Sequence, residues 1–383
     1  MQSPLFLVAL LLVAANLRAS LTGVGPLLPL IQRELSLSAT AAGLLGSLPL
    51  LMFALFAPLA RLGARFGAER LVLAGLVALA LGILLRSEGH VASLYAGTVL
   101  LAGAIAMTNV LVPTLVKQHF PQRVPALTSA YATVMQVFAS LGSGIAVPLL
   151  LWLPGGWRAS LASWSLLAML TIALWLPQLR APAMPAAVQA AAAPHPPWRR
   201  ALAWQIAGFM GAQSTLFYVA ISWYPAYLHD YGFAATTTGW LLTLYQVMAL
   251  LAGMTIPLLM RRLRDQRLLA AGVASIGLVA TTGMWLLPQA ALGWFILLGL
   301  GAGPSLILSL SFIGLRAGSA HTVAALSLMV QGVGYFIAAL GPVAFGLAHD
   351  LSGGWSLPLL FVMAMAVVQG LCGLGAGRSA VIP

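Results

Sequence analysis

Residues 126–142 read ALTSAYATVMQVFASLG, and residues 325–341 read ALSLMVQGVGYFIAALG. ALT at 126–128 returns as ALS at 325–327, and ASLG at 139–142 returns as AALG at 338–341. The echo extends outward at offsets of 196 to 199 residues. GGW at 155–157 recurs at 353–355, and Pro29, Glu34 and Gly43 correspond to Pro225, Asp230 and Gly239. The arginine-rich stretch RLGARFGAER at 61–70 has its partner in RRLRDQR at 261–267. The chain is therefore read as two similar halves.

Each half is apolar. Of the 383 residues, 61% are hydrophobic and 6% charged, against about 25% charged in soluble domains. A bilayer core takes roughly 20 mainly apolar residues per helix. Walking the chain places spans near 5–31, 38–60, 71–87, 93–116, 126–152 and 159–178, then near 201–228, 237–260, 268–287, 291–314, 323–347 and 356–377. The expected fold is an all-α integral membrane protein with twelve transmembrane helices in two parallel six-helix repeats. The halves are 1–178 and 201–383, joined by a Pro/Ala-rich cytoplasmic linker at 179–200. A cleaved signal peptide is disfavoured, because no basic region precedes Leu5 and the apolar run continues past Arg18.

Charge placement sets the orientation. With the N-terminus inside, fourteen of the eighteen Lys and Arg residues fall in cytoplasmic segments, and only Arg33, Arg86 and Arg158 fall outside. The positive-inside rule then puts both termini in the cytoplasm. Position in the gaps explains the net charge of +12 better than nucleic acid does, since no aromatic-basic face or nucleic-acid module is present. One cysteine, Cys372, rules out a disulfide framework, and the histidines lack metal-ligand spacing. No nucleophile–base set or phosphate loop appears, so neither enzyme activity nor a cofactor is expected.

The remaining basic residue, Arg18, lies near the middle of the first span, about 20 Å of helix from either end. It reads as the only deep charge in any span, and the position equivalent to it in the second half is Ser214. Charged groups at this depth usually face a cavity or the bundle interior. A guanidinium that stays protonated offers a fork of donors to an anion. The competing reading is helix-packing glue on carbonyls or a neighbouring Asn. Asn16, Thr22, Asn109, Tyr131, Gln136, Gln213, Tyr218, Gln246, Gln331 and Tyr335 join Arg18 as candidate substrate contacts. Hydrogen bonding between helices is the alternative for them.

Two six-helix halves joined by a long cytoplasmic linker resemble the major facilitator transporters. The gap after the second span is similar to that superfamily's loop signature: Arg65, Gly67 and Arg70 fit as a gating loop, while Ala60 and Ala64 replace its glycine and aspartate. NLR at 16–18, Gly25-Pro26, Pro113, Lys117 and Phe120-Pro121 carry a narrower likeness. QS at 213–214, Phe217-Tyr218, Trp223-Tyr224-Pro225 and the stretch to Pro342 add to it. Together they resemble the cyanate permease and 2-nitroimidazole exporter family. That resemblance implies a monomer in the bacterial inner membrane, moving a small anion or polar heterocycle by alternating access. Protons or a counter-substrate would couple it, the membrane field favouring anion export or exchange. Broad drug efflux and a non-transporting sensor are the alternatives.

Overall fold

A lipid-facing backbone has no water to bond with, so a membrane chain must close its hydrogen bonds within helices. The computed structural model describes residues 4–180, 197–260, 262–263 and 265–382. Among them the chain is helical almost throughout. The helices of its first part are α1 (Pro4–Thr22), α2 (Val24–Leu35), α3 (Ala39–Phe56), α4 (Gly63–Phe66), α5 (Ala68–Arg86), α6 (Val91–His119), α7 (Val124–Trp152), α8 (Gly156–Ala162) and α9 (Trp164–Trp175). Those of its second part are α10 (Ala201–Asp230), α11 (Ala235–Gly253), α12 (Ile256–Met260), α13 (Arg267–Leu286), α14 (Ala291–Leu315), α15 (Ala320–Ser352) and α16 (Ser356–Ala376). Most of the expected 179–200 linker lies outside the described residues, as do Arg261 and Arg264.

Eleven helices among the described residues are long and apolar enough to cross a membrane. The expected seventh span, α10, is a continuous 30-residue helix. Its glutamines, serines and tyrosines make it less apolar than those eleven. The first expected span is divided: α1 ends at Thr22 and α2 begins at Val24, with Gly23 between. Large apolar side chains such as Leu81, Leu166, Leu268 and Leu371 are exposed, as lipid-facing positions require.

Two compact units form, one from Met1–Ser36 and Leu48–Gln189, the other from Leu37–Ser47 and Ala190–Pro383. In the first, Leu10, Leu17, Leu76, Ile83, Leu101, Ile105 and Trp175 build a buried cluster. In the second, Ile206, Phe209, Leu308, Phe312, Leu326 and Val330 do so. Lipid tails are as apolar as leucine, so helices associate through close packing of small residues rather than hydrophobic force. α5 meets α6 where a Cβ at Gly82 would lie 2.6 Å from the Leu101 nitrogen. α11 meets α14 at Gly303, where a Cβ would fall on the Ala249 carbonyl.

Polar contacts close the helix ends. In the second unit the Asp350 carboxylate, near the end of α15, accepts from the Ala39 N–H at 3.0 Å and the Thr40 N–H at 2.7 Å, capping α3. In the first unit Glu34 accepts from the Trp157 indole at 2.5 Å and from Arg158. The Trp157 N–H, and after it Arg158, holds the Glu34 carboxyl below its ordinary range against an opposing contribution from burial.

Gly303→Ala is expected to lower stability by about 1–3 kcal/mol. Gly272→Ala, where an added Cβ meets nothing within 4 Å, should be neutral or stabilising by up to about 1 kcal/mol. Thermal unfolding of the purified protein reads both. Because the folded-state pKa of Glu34 is depressed, its contribution is complete above about pH 4.3 and is lost as pH falls through the folded value. Glu34→Gln should therefore flatten the acid-side fall in unfolding temperature.

Candidate functional site

The site is built on α1. From Val13 to Ser20 every residue is buried except Arg18, which is part-exposed. Val13, Leu17 and Ala19 pack into the first unit's apolar cluster, and Arg18 points from a different side of α1.

The partner helix is α7. Thr22 Oγ1 donates to the Ala139 carbonyl at 2.7 Å, and Ser143 Oγ donates to the Thr22 carbonyl at 3.3 Å. A Cβ at Gly142 would lie 2.6 Å from the Ala19 carbonyl, while one at Gly23 would meet Gly142 and Ala146. Phe6 near the start of α1 lies 6.0 Å from Phe120 just before α7, and Thr22 at the end of α1 meets Ala139 and Ser143, so the two helices run parallel, with contacts around Thr22 at offsets of 117 to 123 residues. That register sets Arg18 level with residues 135–141. Gln136 stands in this window, part-exposed, on the same face as Ser140 and Ser143.

The structure separates the other expected contacts. Asn16 is turned into the first unit, where Nδ2 donates to Thr171 Oγ1 at 2.8 Å and to the Leu12 carbonyl at 2.9 Å. Thr22 is 3% exposed and committed to α7. Both do the interhelical bonding that sequence reasoning held as the alternative. Asn109 on α6 and Tyr131 on α7 are part-exposed. In the second unit Gln246 is fully buried, with Nε2 donating to the Leu242 carbonyl at 3.3 Å. Tyr218 packs edge-on against Phe217, and Gln331 Nε2 donates to Ser327 Oγ at 2.7 Å. Tyr335 is part-exposed. Gln213 Nε2 donates to Ser214 Oγ at 2.6 Å and to Met210 Sδ at 3.4 Å, so the residue equivalent to Arg18 serves to orient an amide. Gln213 also lines a recess within the second unit.

Arg65 on α4 and Arg70 in the first turn of α5 are exposed, and Gly67 between the two helices has φ of 89°. Only glycine takes that conformation without strain. Beside it sequence reasoning missed a buried pair. Glu69, assigned to a loop, lies in the first turn of α5, where a carboxylate suits the helix dipole. Its Oε1 is 2.9 Å from His119 Nε2, and Phe6 covers the imidazole at 4.4 Å between ring centroids.

Arg86 is a further buried charge, at the end of a span rather than in its middle. Placed outside by its position before a turn, it is the last residue of α5 and is 1% exposed. Nη1 donates to the Ser20 carbonyl at 2.9 Å, while Nε and Nη2 meet no acceptor among the described residues. Among those residues no three His, Cys, Asp or Glu side chains group as a metal site would need.

Residues 10–342 match the profile of the Major Facilitator Superfamily. A 2-nitroimidazole transporter of Escherichia coli is 42% identical over 373 residues, 96% of this chain and 94% of that protein. The cyanate transport protein CynX of the same organism is 28% identical over 94% of this chain and 95% of its own length. An uncharacterized transporter of Bacillus subtilis is 39% identical over 98% of this chain and 94% of its own. Among solved structures, an inward-facing bacterial homologue of the lysosomal transporter Spinster superposes with a TM-score of 0.79 at 15% identity, covering 99% of this chain and 98% of that one. The nucleoside transporter NupG does so at 0.76 and 14%, covering 98% and 99%. At such identities the likeness is one of fold.

Asn16→Ala is expected to cost about 1–3 kcal/mol of stability through the orphaned Thr171 contact. It should leave apparent substrate affinity within about threefold of the parent protein, as paired unfolding and binding measurements would show.

Proposed function

The chain belongs to the Major Facilitator Superfamily, and from that premise we propose that it is a secondary transporter of a small anion or small polar heterocycle, cyanate-like or nitroimidazole-like. The observation that carries the reading is the placement of Arg18. It is the one residue of Val13–Ser20 that is not buried, in the middle of an apolar helix, where a permanent cation has few reasons to sit. A guanidinium presents parallel N–H donors to a planar anion or a nitro group. The 2-nitroimidazole and cyanate transporters among its relatives support a substrate of that chemistry.

On this reading the substrate meets Arg18, with Gln136 at the same level. Asn109, Tyr131, Tyr218, Gln246, Gln331 and Tyr335 remain candidates for completing the site, and Arg65, Gly67 and Arg70 form the gating loop. Asn16 and Thr22 hold α1 in place, which fixes the direction in which Arg18 points. Twelve spans in two halves, bounded at 1–178 and 201–383 with both termini cytoplasmic, would alternate access from a bacterial inner membrane, the protein acting as a monomer. A membrane potential opposes anion entry by ~2.3 kcal/mol per charge per 100 mV. Net uptake therefore needs protons or a counter-substrate, and export or exchange runs with the field.

The test is transport in proteoliposomes loaded with cyanate or 2-nitroimidazole. Arg18→Ala is expected to weaken apparent affinity at least tenfold, equivalent to ~1.4 kcal/mol. Arg18→Lys should recover little of that loss, because an ammonium cannot form the paired contact. Full transport and affinity in Arg18→Lys would refute bidentate recognition. Activity surviving Arg18→Ala across bulky apolar drugs would favour broad efflux instead.

A further inference from the structure

The chain has six carboxylates, and all six lie among the described residues. Glu69 alone is buried, at 7% exposed. An ionisable group buried in a membrane-spanning helix is costly and marks function by default. The Arg18 site makes no use of this one.

The surroundings of Glu69 are specific. Its Oε1 meets His119 Nε2 at 2.9 Å, and the Trp175 indole donates to its main-chain carbonyl, also at 2.9 Å. Phe6 lies over the imidazole, and its ring meets Trp175 at 5.6 Å and Phe120 at 6.0 Å between centroids. The starts of α1 and α5 and the ends of α6 and α9 are thus gathered around one carboxylate–imidazole contact. The other charged groups at this end are cations: Arg65 on α4, Arg70 on α5, Lys117 on α6 and Arg123 just before α7, each exposed. Arg61 and Arg180 belong to the neighbouring turns Ala57–Leu62 and Leu176–Arg180. α1 has no titratable group before Arg18, α9 has none, and α7 has only Tyr131.

An imidazole changes charge between about pH 5 and 8. With a neutral His119, Nε2–H donates to Glu69 and the pair carries one buried negative charge. With a protonated His119 the same bond joins opposite charges, and the pair is neutral as a whole. In a low-dielectric interior the second contact attracts far more strongly than the first. The His119 side chain is 12% exposed, which lets a proton reach it from water at that end. From this geometry we propose that Glu69 and His119 form a proton-binding clasp, in which a proton on the imidazole draws the ends of α5 and α6 together beneath Phe6 of α1. Arg18 stands on the same helix, about 18 Å further along. A tighter hold on α1 slows its rearrangement, so acid on this side, cytoplasmic on the orientation proposed above, retards transport. That consequence rests on the transport reading, whereas the clasp does not.

A double-mutant cycle on the full chain in detergent tests the clasp. Unfolding temperatures of the parent protein, Glu69→Gln, His119→Gln and the double variant are compared at about pH 5.5 and about pH 8.5. The non-additivity of the two substitutions should be larger at the acid value by about 2 °C or more. Exchange of labelled 2-nitroimidazole or cyanate in proteoliposomes, with equal pH on both sides, tests the consequence. Dividing the parent rate by the His119→Gln rate at each pH cancels any ionisation of the solute. That ratio should fall at least about threefold from the alkaline to the acid value. If neither solute is carried, the transport reading fails, and the cycle still decides the clasp. Should the neutral variants not fold, His119→Lys keeps a cation opposite Glu69 at both pH values. The parent unfolding temperature should then drop relative to His119→Lys by about 2 °C or more from acid to alkaline pH. A non-additivity equal at both pH values, or a parent that tracks His119→Lys, would overturn the clasp and leave the pair as a structural bond. A rate ratio that does not change with pH would overturn its control of transport.

Discussion

Hydrocarbon denies a helix two things at once: water for its backbone, and any hydrophobic force pressing it onto its neighbour. Cohesion must then come from backbones that approach closely enough for dispersion and a few directed bonds to act. Gly142 lets α7 reach the carbonyls of α1, Gly82 and Gly97 let α5 and α6 meet main chain to main chain, and Gly303 seats α14 on Ala249. In the first unit the placement of Arg18 follows from the first of these contacts. Because α1 and α7 touch at Gly142, Thr22 and Ser143 find each other's helices, and Arg18 stands one turn away, part-exposed.

Much of this architecture was legible in the chain itself. The span positions follow from apolar length, and the repeat from short matched strings. The division at Gly23 had a signal that span counting passed over: Pro26 has no N–H for the Thr22 carbonyl four residues back, and Ser143 meets that carbonyl instead. Ranking the polar residues along one helix failed for another reason. Asn16, Arg18 and Thr22 lie within two turns, and which of them meets solvent depends on the placement of α7 and α9 around α1. Arg18 stood out by charge alone and is part-exposed, whereas Asn16 and Thr22 are buried against neighbours.

Glu69 and Arg86 escaped notice because they sit at helix ends, where a charge in sequence is ordinarily assigned to water. Burial there needs partners from elsewhere in the chain. His119 arrives from the far end of α6, and the Ser20 carbonyl comes from another helix altogether. The polar residues lining the second-unit recess were scattered over 157 residues of sequence, from Gln213 to Gln369, and no local pattern could gather them. The two units also differ in kind. The first carries a fixed charge on α1, while the second places a serine at the equivalent position and surrounds its recess with neutral groups.

Two buried arginines frame a last point. Arg316 is met by the Ala376 and Gly377 carbonyls and by Gln266, so its fork is filled. Arg86 has the Ser20 carbonyl and no other acceptor among the described residues. Ser20 lies just before the break at Gly23. The guanidinium therefore ties the end of α5 to the main chain of α1 three residues before Gly23, so that neither helix can slide along the other without leaving a buried cation bare.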